Sequence, residues 1–313
     1  MSAIATILAP LSTFYSDPLT IEMRLVKAGM VVIDRRGCGK VEIKAPNLTI
    51  GNIENMCRAL ANFQGVAFDP ETTPKLSCII PEAMHRFECA VGPSVPSGVS
   101  LAIRCKHPFS PTWKQIGIED TTVTYLQDII TTSKNIIVSG ATNTGKTTLL
   151  NKLLEFLPDD RRVVAVEDTS ELSISRFWDG VGLLASREAN IQNGMLDWRQ
   201  LYDHQMRITP DHVIFGEIST QNAFAALAAL NSGITGFMCT IHASSPDQVI
   251  QRKFEQNIAW TGQVMPRIAE FLSELIDVII QIKREHDGSR IISDIFEPNH
   301  NRWIIQNNVN FLG

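Results

Sequence analysis

Eight residues constrain this chain more than any other stretch: Gly140-Ala141-Thr142-Asn143-Thr144-Gly145-Lys146-Thr147. Upstream, residues 135–139 (Asn-Ile-Ile-Val-Ser) are rich in β-branched side chains and predict a buried strand. Downstream, Leu149, Leu150, Leu153, Leu154 and Leu157 recur at helical spacing and predict a helix over 147–157. Between them, every fixed position of G-x-x-x-x-G-K-[ST] is met. Glycines let the backbone curl so that successive N–H groups converge on an anion, and the helix N-terminus adds partial positive charge. The pattern predicts a phosphate loop in which Gly140, Ala141, Thr142, Asn143, Thr144, Gly145, Lys146, Thr147 and the adjoining Thr148 surround nucleotide phosphates. Lys146 reaches the β- and γ-phosphates and the Thr147 hydroxyl ligates magnesium, so ATP and Mg2+ are the expected ligands. The bland alternative, a glycine turn with an exposed lysine, does not account for the flanking strand and helix.

The 313 residues suffice for about two domains. Their 44 % hydrophobic and 19 % charged content is ordinary for a folded, water-facing protein. No apolar run reaches the roughly 18 residues that a membrane span needs, and the first fifteen residues lack the basic start of a secretory signal. A cytosolic chain is expected. The net charge of −5 argues against a dedicated nucleic-acid binder, so no direct nucleic-acid contact is expected. The six cysteines include no C-x-x-C pair and read as buried thiols rather than disulfides or a zinc site.

Composition also shifts along the chain. Residues 1–108 carry short β-type runs (30–33, 41–43, 101–103), one helical segment near 53–63 and dense turn residues, predicting a small α+β domain. Two prolines, Pro108 and Pro111, mark a linker over 109–119. From 120 to 313, apolar strands at 135–139, 163–166, 213–215 and 237–241 alternate with helical segments. This predicts an α/β domain with a mostly parallel sheet, followed by a hairpin around Asp287-Gly288.

Ligands of open parallel sheets bind beyond the carboxyl ends of the strands. Three apolar runs end there in polar groups: 163–166 in Glu167-Asp168-Thr169-Ser170-Glu171, 213–215 in Gly216-Glu217, and 237–241 in His242. Hydrolysis needs a carboxylate to orient water or steady magnesium. Glu217 is favoured for the water and Glu171, with Thr147, for the metal. Each acidic residue has the alternative of a helix cap, and His242 that of a hydrogen-bonded core histidine.

The order of these segments resembles the type II/type IV secretion ATPases, or traffic ATPases. Residues 166–172 (Val-Glu-Asp-Thr-Ser-Glu-Leu) resemble the family's acidic box, 206–217 its modified Walker B segment, and 233–243 its histidine box. Arg86 and Arg104 resemble the arginine pair of its N-terminal domain. The resemblance implies a RecA-like P-loop NTPase domain at the C-terminus. It also implies catalytic roles for Lys146, Glu171, Glu217, His242, Arg86, Arg104 and Arg207, with His242 coupling neighbouring subunits and the arginines closing on the γ-phosphate.

Short length and the missing cysteine-rich insert look most like the type IV secretion branch. That branch implies a homohexameric ring at the cytoplasmic face of the bacterial inner membrane. Its partners would be inner-membrane secretion-channel or pilus-assembly proteins, and its work secretion, conjugative transfer or pilus biogenesis. A pilus extension or retraction motor shares this chemistry. Two departures, Thr209 and Ser219 where the family usually has arginines, leave open a nucleotide switch of low turnover.

Overall fold

The structure, a computed structural model, describes residues 3–107, 109–185 and 195–312. The chain divides into two compact units, Met1–Pro108 and Phe109–Gly313.

The first unit is built on an antiparallel sheet of β1 (Thr20–Lys27), β2 (Met30–Arg35), β3 (Gly39–Lys44), β4 (Lys75–Ile79), β5 (Arg86–Val91) and β6 (Val99–Arg104), in the order β3-β2-β1-β6-β5-β4. Side chains alternate across the pleat, so Phe87, Cys89 and Val91 of β5 and Val99, Leu101 and Ile103 of β6 face one core. The helix Ile50–Gln64 covers that core with Ile53, Met56, Cys57, Leu60 and Ala61. The Thr49 hydroxyl accepts from Asn52 N at 3.2 Å to start the helix, and Gly65, left-handed at φ 68°, ends it. Two short helices, Ala3–Ile7 and Ala9–Tyr15, add Ile4, Leu8, Leu11 and Tyr15.

The second unit holds β7 (Ile136–Ser139), β8 (Val163–Glu167), β9 (Val181–Leu184), β10 (His212–Ile218), β11 (Met238–Ile241), β12 (Val278–Arg284), β13 (Arg290–Glu297), β14 (Arg302–Gln306) and β15 (Val309–Asn310). Their order is β15-β14-β13-β12-β7-β11-β10-β8-β9. Pairing is parallel from β9 through β12 and antiparallel beyond. β7, β8 and β11 are buried at every position, which a sheet covered on both faces requires. Ile136, Val138 and Ala165 pack on one side with the helices Asp120–Thr131 and Lys146–Leu154. Ile137, Val213 and Phe215 pack on the other with Ala223–Leu230 and Ile268–Leu275. Among the described residues no helix is long and apolar enough to cross a membrane.

Three details differ from the sequence reading. Residues 109–119 do not run as a free linker: Trp113 stacks on Phe156 with centroids 5.3 Å apart, and Ile116 and Ile118 are buried in the second unit's core. The helix after the phosphate loop stops at Leu154, because Phe156 and Leu157 donate to carbonyls three residues back, which tightens the last turn. Cys38 is exposed on the Gly37–Gly39 turn rather than buried, whereas burial pushes the Cys239 thiol well up.

Leu150 is fully buried between the helix and the sheet. Leu150→Ala is expected to lower unfolding stability by about 2–5 kcal/mol, the usual cost of a leucine-sized core cavity, read from urea or guanidinium midpoints.

Candidate nucleotide-binding site

Parallel register sets the site. Ser139, the last residue of β7, lies opposite Ile241, the last of β11, so the chain turns out of both strands at one rim, beside Gln281 in the middle of β12. There Gly140 N donates to Ile241 O at 3.3 Å. A Cβ on Gly140 would stand 2.5 Å from the Ile282 carbonyl oxygen and 2.7 Å from the Thr144 hydroxyl, so only glycine leaves room for the turn. The curl is completed by left-handed Asn143 and Gly145, at φ 61° and 94°, and by Thr144 Oγ1 donating to Ala141 O at 2.9 Å.

Lys146 opens the helix Lys146–Leu154 and is 5 % exposed. Its Nζ donates to Ala141 O at 3.1 Å and to His242 Nδ1 at 3.0 Å. His242 Nε2 meets Glu217 Oε1 at 2.9 Å. A lysine ammonium can only donate, so His242 accepts on Nδ1 and carries its proton on Nε2, which it gives to the Glu217 carboxylate. Lys146, His242 and Glu217 thus form one hydrogen-bonded line across three strand ends. The His242 and Glu217 side chains remain 41 % and 45 % accessible, open to a ligand. A nearly buried ammonium at the mouth of a glycine loop suits an anion, whose charge it meets far better than it meets a carbonyl.

The carboxylates divide their work. Glu167, the last residue of β8, is buried, and its Oε1 accepts the backbone N–H groups of Glu171 at 2.9 Å and Leu172 at 3.0 Å. It folds the following loop back onto the strand tip. Gly216 on β10 makes space for it, since a Cβ there would lie 2.9 Å from Glu167 Cγ. Asn151 fastens the same loop from the helix, donating to Glu171 O at 3.0 Å and accepting from Ser173 N at 2.8 Å. Asn151 is one helical turn beyond Thr147, on the same face, so the loop bearing Glu171 is laid along the helix that presents Thr147. A hydroxyl and a carboxylate are hard oxygen donors of the kind magnesium takes.

The latch role of Glu167 is not legible in the sequence, where it is one of three acidic residues in a row of five. Its one signal is that it directly ends a fully apolar strand. Glu167→Ala is expected to cost about 1–3 kcal/mol for each abandoned N–H donor, whereas Glu167→Gln, which keeps an acceptor oxygen, recovers most of it. Denaturant unfolding of the two variants checks this.

Arg86, the first residue of β5, and Arg104, the last of β6, are register partners and stand side by side. Arg207 is exposed and precedes the entry of β10, at the sheet edge opposite the phosphate loop; one chain does not bring it to the other groups. Ser219 N donates to Asn222 Oδ1 at 2.7 Å and Asn222 Nδ2 to Glu217 O at 2.8 Å, so the turn after β10 fixes the backbone that carries Glu217.

Residues 72–284 match the family model for type II/IV secretion system proteins. The chain belongs to that family. It is 28 % identical over 288 residues to the conjugal transfer protein TrbB of Rhizobium radiobacter, covering 88 % of this chain and 83 % of that one. It is 23 % identical over 354 aligned positions to the type IV secretion system protein VirB11 of Bartonella henselae, covering 98 % and 97 %. The fold is shared with the Yersinia pseudotuberculosis ATPase DotB, with a TM-score of 0.63 at 14 % identity over 95 % of this chain and 80 % of that one.

Proposed function

We propose that this chain is a magnesium-dependent ATPase, its second unit a RecA-like P-loop domain, that drives type IV secretion or conjugative transfer as a homohexameric ring. The observation that carries the reading is the Lys146–His242–Glu217 line at the mouth of the phosphate loop. It joins an anion-holding ammonium to a carboxylate able to orient water through a histidine that senses both. The kinship with TrbB and VirB11 supports the process, and the fold shared with DotB supports the activity.

Residues 140–148 hold the triphosphate. Thr147 and Glu171 are the groups for Mg2+, which when bound neutralises charge on the β- and γ-phosphates. Lys146 leaves Ala141 O and His242 for phosphate oxygen. That frees His242 Nδ1, so phosphate occupancy is reported to Glu217 and, across the ring, to the next subunit. Glu217 orients the attacking water and accepts its proton. Arg86 and Arg104 meet charge growing on the γ-phosphate, and Arg207, away from its own chain's loop, acts across the ring. The ring is assigned to the cytoplasmic side of a bacterial inner membrane, bound to secretion-channel or pilus-assembly proteins.

Phosphate release with ATP and Mg2+ at protein concentrations that favour assembly, alongside solution mass with and without nucleotide, tests this. Turnover that rises with a six-chain species is expected. Tight nucleotide binding with no turnover in any assembly would favour the switch reading, which Ser219 and Thr209 support.

A further inference from the structure

The first unit carries a cluster that the nucleotide chemistry does not use. Arg86 and Arg104 are the last pair of the β5–β6 ladder, and His85 and Cys105 are the next residues along the two chains. His107 is two residues beyond Cys105. The ligand atoms of His85, Cys105 and His107 all lie within 4.8 Å of one another. Tyr15 closes the cluster from the helix Ala9–Tyr15. Its carbonyl meets His107 Nε2 at 3.0 Å, its ring lies edge-on to His85 with centroids 5.2 Å apart, and the two imidazoles are 5.0 Å apart. His85 is buried, while Cys105 and His107 are partly accessible and leave a way in.

We propose that His85, Cys105 and His107 form a binding site for a borderline-soft divalent cation of the zinc class. Two imidazoles and one thiolate are the donors such an ion prefers, and a water or other small ligand completes a tetrahedron. The His107 ring is already oriented as ligating histidines are: Nε2–H to a backbone carbonyl, Nδ1 left for the metal. His85 Nδ1 accepts the Lys106 N–H at 3.1 Å, and loading exchanges this bond for a metal–nitrogen bond. The cation displaces the Cys105 thiol proton: the S–H bond breaks, a sulfur–metal bond forms and the proton goes to solvent. The loaded site would clamp the start of β5, the end of β6 and the helix Ala9–Tyr15 together.

Co2+ titration of the tag-free full chain tests the site. One equivalent is expected to bring up thiolate-to-cobalt charge-transfer absorption together with the strong visible bands of tetrahedral Co2+, and Zn2+ is expected to bleach both. Cys105→Ser should lose the charge-transfer band, whereas Cys38→Ser, at the exposed thiol, should keep it. A wild-type chain without the band, or a Cys105→Ser chain that retains it, overturns the site. Should Cys105→Ser fail to fold, zinc-edge X-ray absorption of the loaded wild type decides. One sulfur with two imidazoles is expected, and a shell of oxygens alone or sulfurs alone refutes the assignment.

Discussion

Replacing Lys146 by alanine is expected to lower ATP turnover by on the order of 10²–10³-fold, the usual loss when a preorganised group that meets transition-state charge is removed. Affinity for ATP should fall with it, because Lys146 is the buried cation of the loop, 5 % exposed and within reach of both Ala141 O and His242 Nδ1. The fold should survive. A buried ammonium is costly to keep desolvated, so an apolar alanine relieves that cost while giving up the bonds to Ala141 O and His242. Steady-state phosphate release, fluorescent-nucleotide binding and the melting temperature separate the effects. Wild-type turnover in a folded Lys146→Ala chain would remove the lysine from the mechanism.

Glu217→Gln should lose turnover by about 10²–10⁴-fold, the range for a general base, yet bind ATP nearly as well as the parent. The amide oxygen of glutamine still accepts from His242 Nε2–H, so the 2.9 Å contact and the turn held by Asn222 persist. What is lost is the negative charge and basicity needed to take a proton from water. Single-turnover hydrolysis with bound ATP measures this without the confusion of product release. Undiminished hydrolysis in Glu217→Gln would move the base elsewhere, with the carboxylate of Glu171 the next to test.

Much of the second unit is legible in the chain, because parallel strands buried on both faces must be nearly continuous in apolar residues; β7, β8, β10 and β11 declare themselves this way. β12 and β13 do so through the Asp287-Gly288 turn. β9 escapes notice since half its short length is solvent-facing, and β14 and β15 since they are short outer strands, β14 on the flank of β13 and β15 on that of β14. The helix Asp120–Thr131 and the turn Trp113–Ile116 hide for a different reason. Their apolar residues are spread thinly among threonines and charges, and only the caps and the Trp113–Phe156 stack reveal that they are packed.

At the site, the strand-end rule directs attention to Glu217 and His242, and the structure sets both in one hydrogen-bonded line. It does not separate Glu167 from Glu171. That distinction depends on the loop doubling back so that one carboxylate spends its oxygen on backbone amides, a tertiary event without local periodicity. Arg207 is the reverse case: its place in the Walker B-like segment follows from resemblance, and the parallel strand direction sets it at the far edge.

The Ile282 carbonyl that excludes a side chain from Gly140 belongs to β12, and Arg290 at the start of β13 rests its aliphatic stem near Gly145. The back wall of the glycine loop is therefore supplied by a C-terminal hairpin more than 130 residues away in sequence, part of it past residue 284 where the family match ends. Shortening or loosening that hairpin is expected to disturb the loop itself, through the Ile282 carbonyl and the Arg290 side chain that lie against it. Any exchange of C-terminal segments between relatives would have to carry the loop's support with it.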